Sequence, residues 1–346
     1  MKLSILDISY VPYGGNRRTA LQNTIETVQV AEDLGYERIW FAEHHNIGHI
    51  AGRTPEVMTA AAAANTKRIH VGSGAVLLNH YSPYKVAEVF ATLCELYPGR
   101  IDLGIGRATT GQYSDFALQS NRTSLQKADN SMEQLVELLA WLTNDFPSNH
   151  PFSQVKLNND GSLPNVYLLG TSDWSAEAAA RLGLAYVFAA FITSDQQRTF
   201  DIIRHYIENF QPSNKPYGRK APGLTLTVYV YAHENDELAL ELAAPSLYSM
   251  QLLNAGRREA VNQSFIPEKE ALELLNGSYT LERLTNPNKP PRHFIGKAET
   301  VARELKQMQA AFGLEEIMIQ LISGNHLGRL KSFELLSQAI EKEKMS

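Results

Sequence analysis

The chain has 346 residues, 44% of them apolar and 20% charged, and a formal net charge of −5. A mildly acidic balance without a Lys/Arg block argues against a nucleic-acid groove and against an anionic membrane surface, since both need clustered basic residues. Cys94 is the single cysteine, which rules out an intrachain disulfide and a Cys-rich metal site. No apolar segment approaches membrane-spanning length. Met1 to Ser9 is too short and too acidic for a signal peptide. The expectation is a cytoplasmic protein.

The pattern alternates strand and helix. Leu3 to Ser9 is predicted as a strand and Ala20 to Leu34 as a helix closed by Gly35. Arg38 to Ala42 is the second strand, and Pro55 opens an alanine-rich helix, where a first-turn proline is well placed. Ile69 to Ala75 is the third strand, followed by a helix from Pro83 to about Tyr97 whose apolar stripe includes Cys94. That stripe makes Cys94 a small core residue rather than a reactive thiol. Ile101 to Ile105 is the fourth strand, and Ser124 to Leu142 reads as a helix.

Asp145 to Leu163 breaks the alternation with Asn, Pro, Ser and Asp, and is expected to hold a short hairpin around Phe152 to Leu157. Val166 to Leu169 is the fifth strand, and Ser175 to Leu182 a helix ended by Gly183. Ala185 to Ala189 is the sixth strand, and Asp195 to Phe210 a helix. Leu224 to Ala232, β-branched and aromatic throughout, is the seventh strand, with a helix over Asp236 to Ala244. Periodicity is weak from Ala255 to Arg292, the mark of a long insertion of the kind that often forms lids. Gly296 to Phe312 reads as a helix, Glu316 to Leu321 as the eighth strand, and Leu330 to Glu341 as the last helix.

Eight apolar strands without polar alternation, each followed by a helix, predict a (β/α)8 TIM barrel. We read residues 1–346 as a single domain with insertions near 145–163 and 255–292. The runner-up, an open doubly wound sheet, lacks the glycine fingerprint after its first strand. In a barrel of this kind the C-terminal strand ends carry the chemistry.

Three of those ends stand out. Glu43, His44 and His45 follow the second strand, and a histidine there can act as a base near neutral pH. A metal reading of Glu43, His44, His45 and His49 is weaker, because adjacent histidines rarely converge on one ion. Gly72-Ser-Gly-Ala75 closes the third strand with minimal bulk, which lets a planar ligand approach the backbone. Arg107 ends the run Ile101-Asp-Leu-Gly-Ile-Gly-Arg, where a guanidinium calls for an anion and suits a phosphate. Gly170-Thr-Ser-Asp-Trp-Ser175 precedes a helix whose N-terminus welcomes an anion, although Ser172 also fits an ordinary N-cap.

The order Trp40-Phe-Ala-Glu-His-His45, Val71-Gly-Ser-Gly-Ala75, Pro98-Gly-Arg-Ile-Asp-Leu-Gly-Ile-Gly-Arg107, with Phe294 to Ala302 and Glu315 to Gln320, resembles the bacterial luciferase-like flavin-dependent monooxygenases over nearly the whole chain. The resemblance implies a luciferase-like barrel binding FMN at its C-terminal mouth. Arg107, Ser172 and Ser175 would hold the flavin phosphate, and Gly74-Ala75 would form a cis peptide beneath the flavin ring. His44 would be the proton-handling group with Glu43 beside it, and His45, Asn79, His80 and Tyr113 would face the substrate. Two positions depart from luciferases: Gly106 replaces a cysteine and Thr171 an acidic residue, so light emission does not follow.

The resulting expectation is an FMN-dependent monooxygenase that uses O2 on a small organic substrate, with reduced FMN delivered by a separate flavin reductase. The resemblance also implies a homodimer through the helices at Pro55 to Asn65 and Pro83 to Tyr97. The alternatives are a non-catalytic flavin-binding protein, a deazaflavin- or NAD(P)H-linked reductase on the same fold, and a metal-dependent hydrolase. No resident metal, nucleic acid or membrane partner is expected.

Overall fold

The computed structural model describes residues 1–107, 112–118, 129–193, 195–257 and 265–345. Nine parallel strands run β1 Lys2–Asp7, β2 Arg38–Phe41, β3 His70–Leu77, β4 Ile101–Gly106, β5 Asn165–Gly170, β6 Ala185–Ala189, β7 Leu224–His233, β8 His293–Lys297 and β9 Glu316–Gln320. Eight of them close a ring: β1 to β7 pair in chain order, β7 pairs β9, and β9 pairs β1. The helices are α1 Arg17–Asp33, α2 Pro55–Ala64, α3 Pro83–Leu96, α4 Gln112–Leu118, α5 Ser131–Thr143, α6 Asp173–Leu182, α7 Gln196–Glu208, α8 Asp236–Asn254, α9 Glu268–Leu275, α10 Ala298–Phe312 and α11 His326–Met345. The expected (β/α)8 barrel is therefore the fold. Among the described residues, no helix is long and apolar enough to cross a membrane.

Strand β8 is additional to that ring and was missed in the sequence, where Gly296 was read as the start of a helix. Tyr229 pairs with Gln320 of β9 on one edge and with His293 of β8 on the other. The N-terminal half of β7 uses that second edge to pair β6, from Leu224 to Thr227. β8 thus continues the wall above β6, at the mouth. Five residues after a proline cluster are too few for a periodic signal. The helix that follows starts at Ala298.

Other boundaries moved for similar reasons. α8 runs through Pro245 to Asn254 rather than stopping at Ala244, because Ala243, Ala244 and Leu247 are buried and that contact offsets the lost hydrogen bond. α9 falls in the stretch that reads as irregular, part of which, 258–264, lies outside the described residues. Residues 124–128 of the helix expected from Ser124 also lie outside them. No strand forms around Phe152 to Leu157; the segment instead holds a 3-10 turn at Pro151–Gln154. Cys94 is buried, as its helical stripe requires.

The barrel floor is polar and dry. Arg38 reaches Asp102 at 2.6 Å and Glu316 at 2.9 Å, and the Trp40 indole donates to Asp102 at 2.9 Å. Asn165 donates to the same carboxylate at 2.9 Å. Burial alone would raise the Asp102 carboxyl, but Arg38 and its donors hold it below the usual range. Glu316, with fewer donors, stays raised by its burial. This cluster fills the floor of the barrel with paired side chains, and the strand C-termini lie at the opposite end, the mouth.

Candidate active site at the barrel mouth

The β2 end delivers three consecutive polar side chains in three directions. Glu43 turns inward and accepts the Leu77 N–H at 2.9 Å, the Tyr81 hydroxyl at 2.6 Å and His45 Nε2 at 2.7 Å. Its oxygens are occupied by two groups at the β3 exit and by His45. His45, held by Glu43, lies edge-on to His80 with ring centroids 6.4 Å apart.

His44 is half-buried. Its Nδ1 is shielded from solvent and meets no hydrogen-bond partner among the described residues. Burial, with His45 and His49 nearby, pushes its imidazole down to about 4. At neutral pH it is an uncharged ring.

His49 goes elsewhere. It stacks on Tyr10 at 5.6 Å and packs edge-on against Phe265 at 5.8 Å. Arg17 ties its loop through the Ile47 and Gly48 carbonyls at 3.1 and 3.0 Å. Among the described residues no group of three His, Cys, Asp or Glu is placed to hold a metal ion.

The β3 and β4 ends sit unusually close. The Gly74–Ala75 peptide is cis, as the resemblance implied. A Cβ on Gly106 would come within 3.0 Å of the Ala75 methyl, and one on Gly104 within 2.2 Å of the Ser73 carbonyl oxygen. A Cβ on Gly74 would meet Leu6 at 2.8 Å and Trp40 at 3.1 Å. Only glycine admits this packing, and it leaves bare backbone at the mouth.

Beside it stands Arg107. Its guanidinium lies 4.5 Å from the Trp174 ring and 2.6 Å from the exposed Asp129 carboxylate. Trp174 belongs to the first turn of α6, so the cation and the helix N-terminus share one corner. Ser172 caps that helix, accepting the Ser175 N–H at 3.3 Å. Ser175 is 3% exposed, and its hydroxyl donates to the Ser172 carbonyl at 2.7 Å beside the Tyr186 hydroxyl at 3.0 Å. Ser175 therefore builds the helix start from within, and half-buried Ser172 caps it.

Of the expected substrate-side residues, Asn79 and His80 form a 3-10 turn, Leu78–His80, after β3, and His80 lies 3.5 Å from Asp115. Asn79 lines a narrow hollow with Arg107, Gln134 and Trp174. Tyr113 lies on α4 and is 80% exposed. On the far side of the mouth Phe191 packs tilted against Tyr229 and Tyr229 stacks on His293, with ring centroids 5.0 Å apart at each step. Tyr229 was visible as an aromatic in the sequence; His293, Arg292 and Tyr279 were not singled out, because they sit in segments without periodicity.

Comparison with known proteins places this geometry in a family. The family model described as luciferase-like monooxygenase matches residues 1–315. N-acetyl-S-alkylcysteine monooxygenase of Bacillus subtilis is 34% identical over 347 residues, covering 98% of each chain. The luciferase-like monooxygenase of Escherichia coli K12 is 31% identical, covering 98% of this chain and 97% of its own. The crystal structure of apo-MsnO8 superposes with a TM-score of 0.86 at 35% identity, covering 98% of both chains. The chain belongs to the luciferase-like monooxygenase family, and its site is that of an enzyme.

Proposed function

We propose that this member of the family is an FMN-dependent monooxygenase that consumes O2 and a small organic substrate. The observation that carries the cofactor assignment is the corner shared by Arg107 and the α6 N-terminus. A phosphate there would meet a forked cation and the positive end of a helix at once. The bare backbone at Gly74, Ala75 and Gly106 suits the flat ring of the same molecule. When bound, reduced FMN supplies the electrons that let one atom of O2 enter the substrate while the other leaves as water.

The chain's own residues then have distinct tasks. Arg107, with Ser172 and the α6 first turn, holds the phosphate, and Arg107 exchanges Asp129 for it. Glu43 fixes the β3 exit through Leu77 and Tyr81, and orients His45. His44 presents an uncharged imidazole and handles the proton of the oxygenation. Asn79, His80 and His45 line the near wall, and the aromatic run of Phe191, Tyr229 and His293 the far wall, keeping the mouth dry. Electrons reach the flavin before it binds, from a separate flavin reductase.

The test is a titration of the purified protein with oxidised and reduced FMN, with riboflavin and a deazaflavin as controls. Tight FMN binding that riboflavin cannot match supports the reading. Binding of the deazaflavin alone replaces the oxygenase with a reductase, and binding of no flavin defeats the assignment. Bound flavin with no O2 consumption under any reducing supply leaves a flavin carrier.

A further inference from the structure

A cavity of about 440 Å³ opens on the β6–β8 side of the mouth, between the start of α7, the middle of α8 and the segment before β8. Its volume is that of a small-molecule site. Gln196, Leu247, Met250, Tyr279, Arg292 and His293 all line it. His293 also stacks on Tyr229 with rings 12° apart, so the cavity adjoins the far wall of the mouth.

Two of these groups, His293 and Tyr279, lack the partners that burial demands. His293 is 7% exposed, and its Nε2 is shielded without a hydrogen-bond partner. The Tyr279 hydroxyl is likewise shielded and unpartnered, with its ring edge-on to His293 at 6.4 Å. Arg292 is held in place by its Nε donating to the Phe191 carbonyl, and no carboxylate lies within ion-pair distance among the described residues. A shielded polar atom left unpaired forfeits roughly 1–3 kcal/mol, so such groups normally have an occupant. Burial and the Arg292 charge keep the His293 imidazole neutral, pushed down to about 4. It therefore offers a neutral hydrogen bond, and among the described residues Arg292 supplies the charge on the inner wall. Glu282 also borders the cavity, from an exposed position at its rim.

We propose that this cavity is the substrate subsite of the monooxygenase, and that it takes a small carboxylate bearing a carbonyl-type group and an apolar arm. The carboxylate pairs with Arg292, the carbonyl-type group hydrogen-bonds His293 Nε2 and the Tyr279 hydroxyl, and the arm lies on Leu247 and Met250. The assignment rests on the monooxygenase reading for the word substrate, but its binding claim stands apart from the flavin.

Calorimetric titration of the purified, flavin-free protein with N-acetylmethionine and with its methyl ester tests it. The acid is expected to bind at least tenfold tighter than the ester. Arg292→Gln should remove that preference, and His293→Phe or Tyr279→Phe should weaken both compounds about fivefold, with unchanged circular dichroism. Equal binding of acid and ester, no binding of either, or a preference that survives Arg292→Gln overturns the proposal; the wild-type comparison decides even where a variant fails to fold. FMN titration reads the other corner independently: flavin binding lost with acid selectivity kept sinks only the flavin reading, and the reverse sinks only this one.

Discussion

Glu43 accepts the Leu77 backbone N–H at 2.9 Å, so the end of β2 is bolted to the end of β3 through a carboxylate that is 5% exposed. The same carboxylate takes the Tyr81 hydroxyl and His45. Glu43→Ala strands those donors, and a loss of roughly 1–3 kcal/mol is expected for each one left unpaired. Glu43→Gln keeps two acceptor sites and should be milder. Urea unfolding checks the order: Glu43→Gln as damaging as Glu43→Ala would contradict a positioning role that depends on hydrogen-bond acceptance.

Acid should loosen the fold through buried imidazoles. His44, His49 and His293 are each pushed from an ordinary 6.5 down to about 4. Between those values the unfolded chain binds more protons than the folded one, so stability is present above about 6.5 and falls as pH drops toward 4. Thermal melting is expected at clearly lower temperature at pH 5 than at pH 7.5. His49→Phe, which keeps the stack on Tyr10, should shrink that difference; a drop of the same size would remove His49 from the account.

Arg107→Ala should weaken FMN by roughly 10- to 100-fold, the worth of one charge-assisted pair with a phosphate, and leave riboflavin unchanged. Fluorescence titration of both ligands decides it. Asp129→Asn should move the other way, because it frees the guanidinium. An unchanged FMN affinity in Arg107→Ala would place the phosphate elsewhere.

Arg38→Ala leaves Asp102 and Glu316 buried without their cation. Breaking such a pair is expected to lose about 3–5 kcal/mol. Denaturant unfolding at pH 7.5 measures it directly. A loss under about 1 kcal/mol would mean that water enters the floor and the cluster is less dry than its geometry requires.

The outer faces of α2 and α3 form a groove with the segment before β5, and Val57 and Leu96 stand 58% and 63% exposed along these helices. We propose this face as the homodimer contact. Leu96→Glu should then yield monomers in sedimentation velocity while the barrel remains folded. A wild-type protein that sediments as a monomer defeats the contact outright.

His44 and Arg107 were legible as candidates because each ends an apolar strand, and strand termini are fixed by local pattern. The closeness of β3 and β4 was legible as Gly72, Gly74, Gly104 and Gly106, since glycine is the residue that tolerates it. The exposure of Tyr113 was not legible, because aromatic identity says nothing about which way a short helix faces. Nor was the capping box that Ser175 closes with Ser172, which depends on local geometry at the start of α6.

What the sequence determined by itself was the barrel, since the alternation of apolar runs and amphipathic stretches is repeated eight times and each unit reports on its own neighbours. What only the tertiary structure decided was β8, the tying of Glu43 to Leu77, Tyr81 and His45, and the meeting of Tyr279, Arg292 and His293. The reason is physical: these depend on backbone edges and side chains brought together from distant segments, and no periodicity within a single segment records which edge of β7 is left open or which shielded nitrogen lacks a partner.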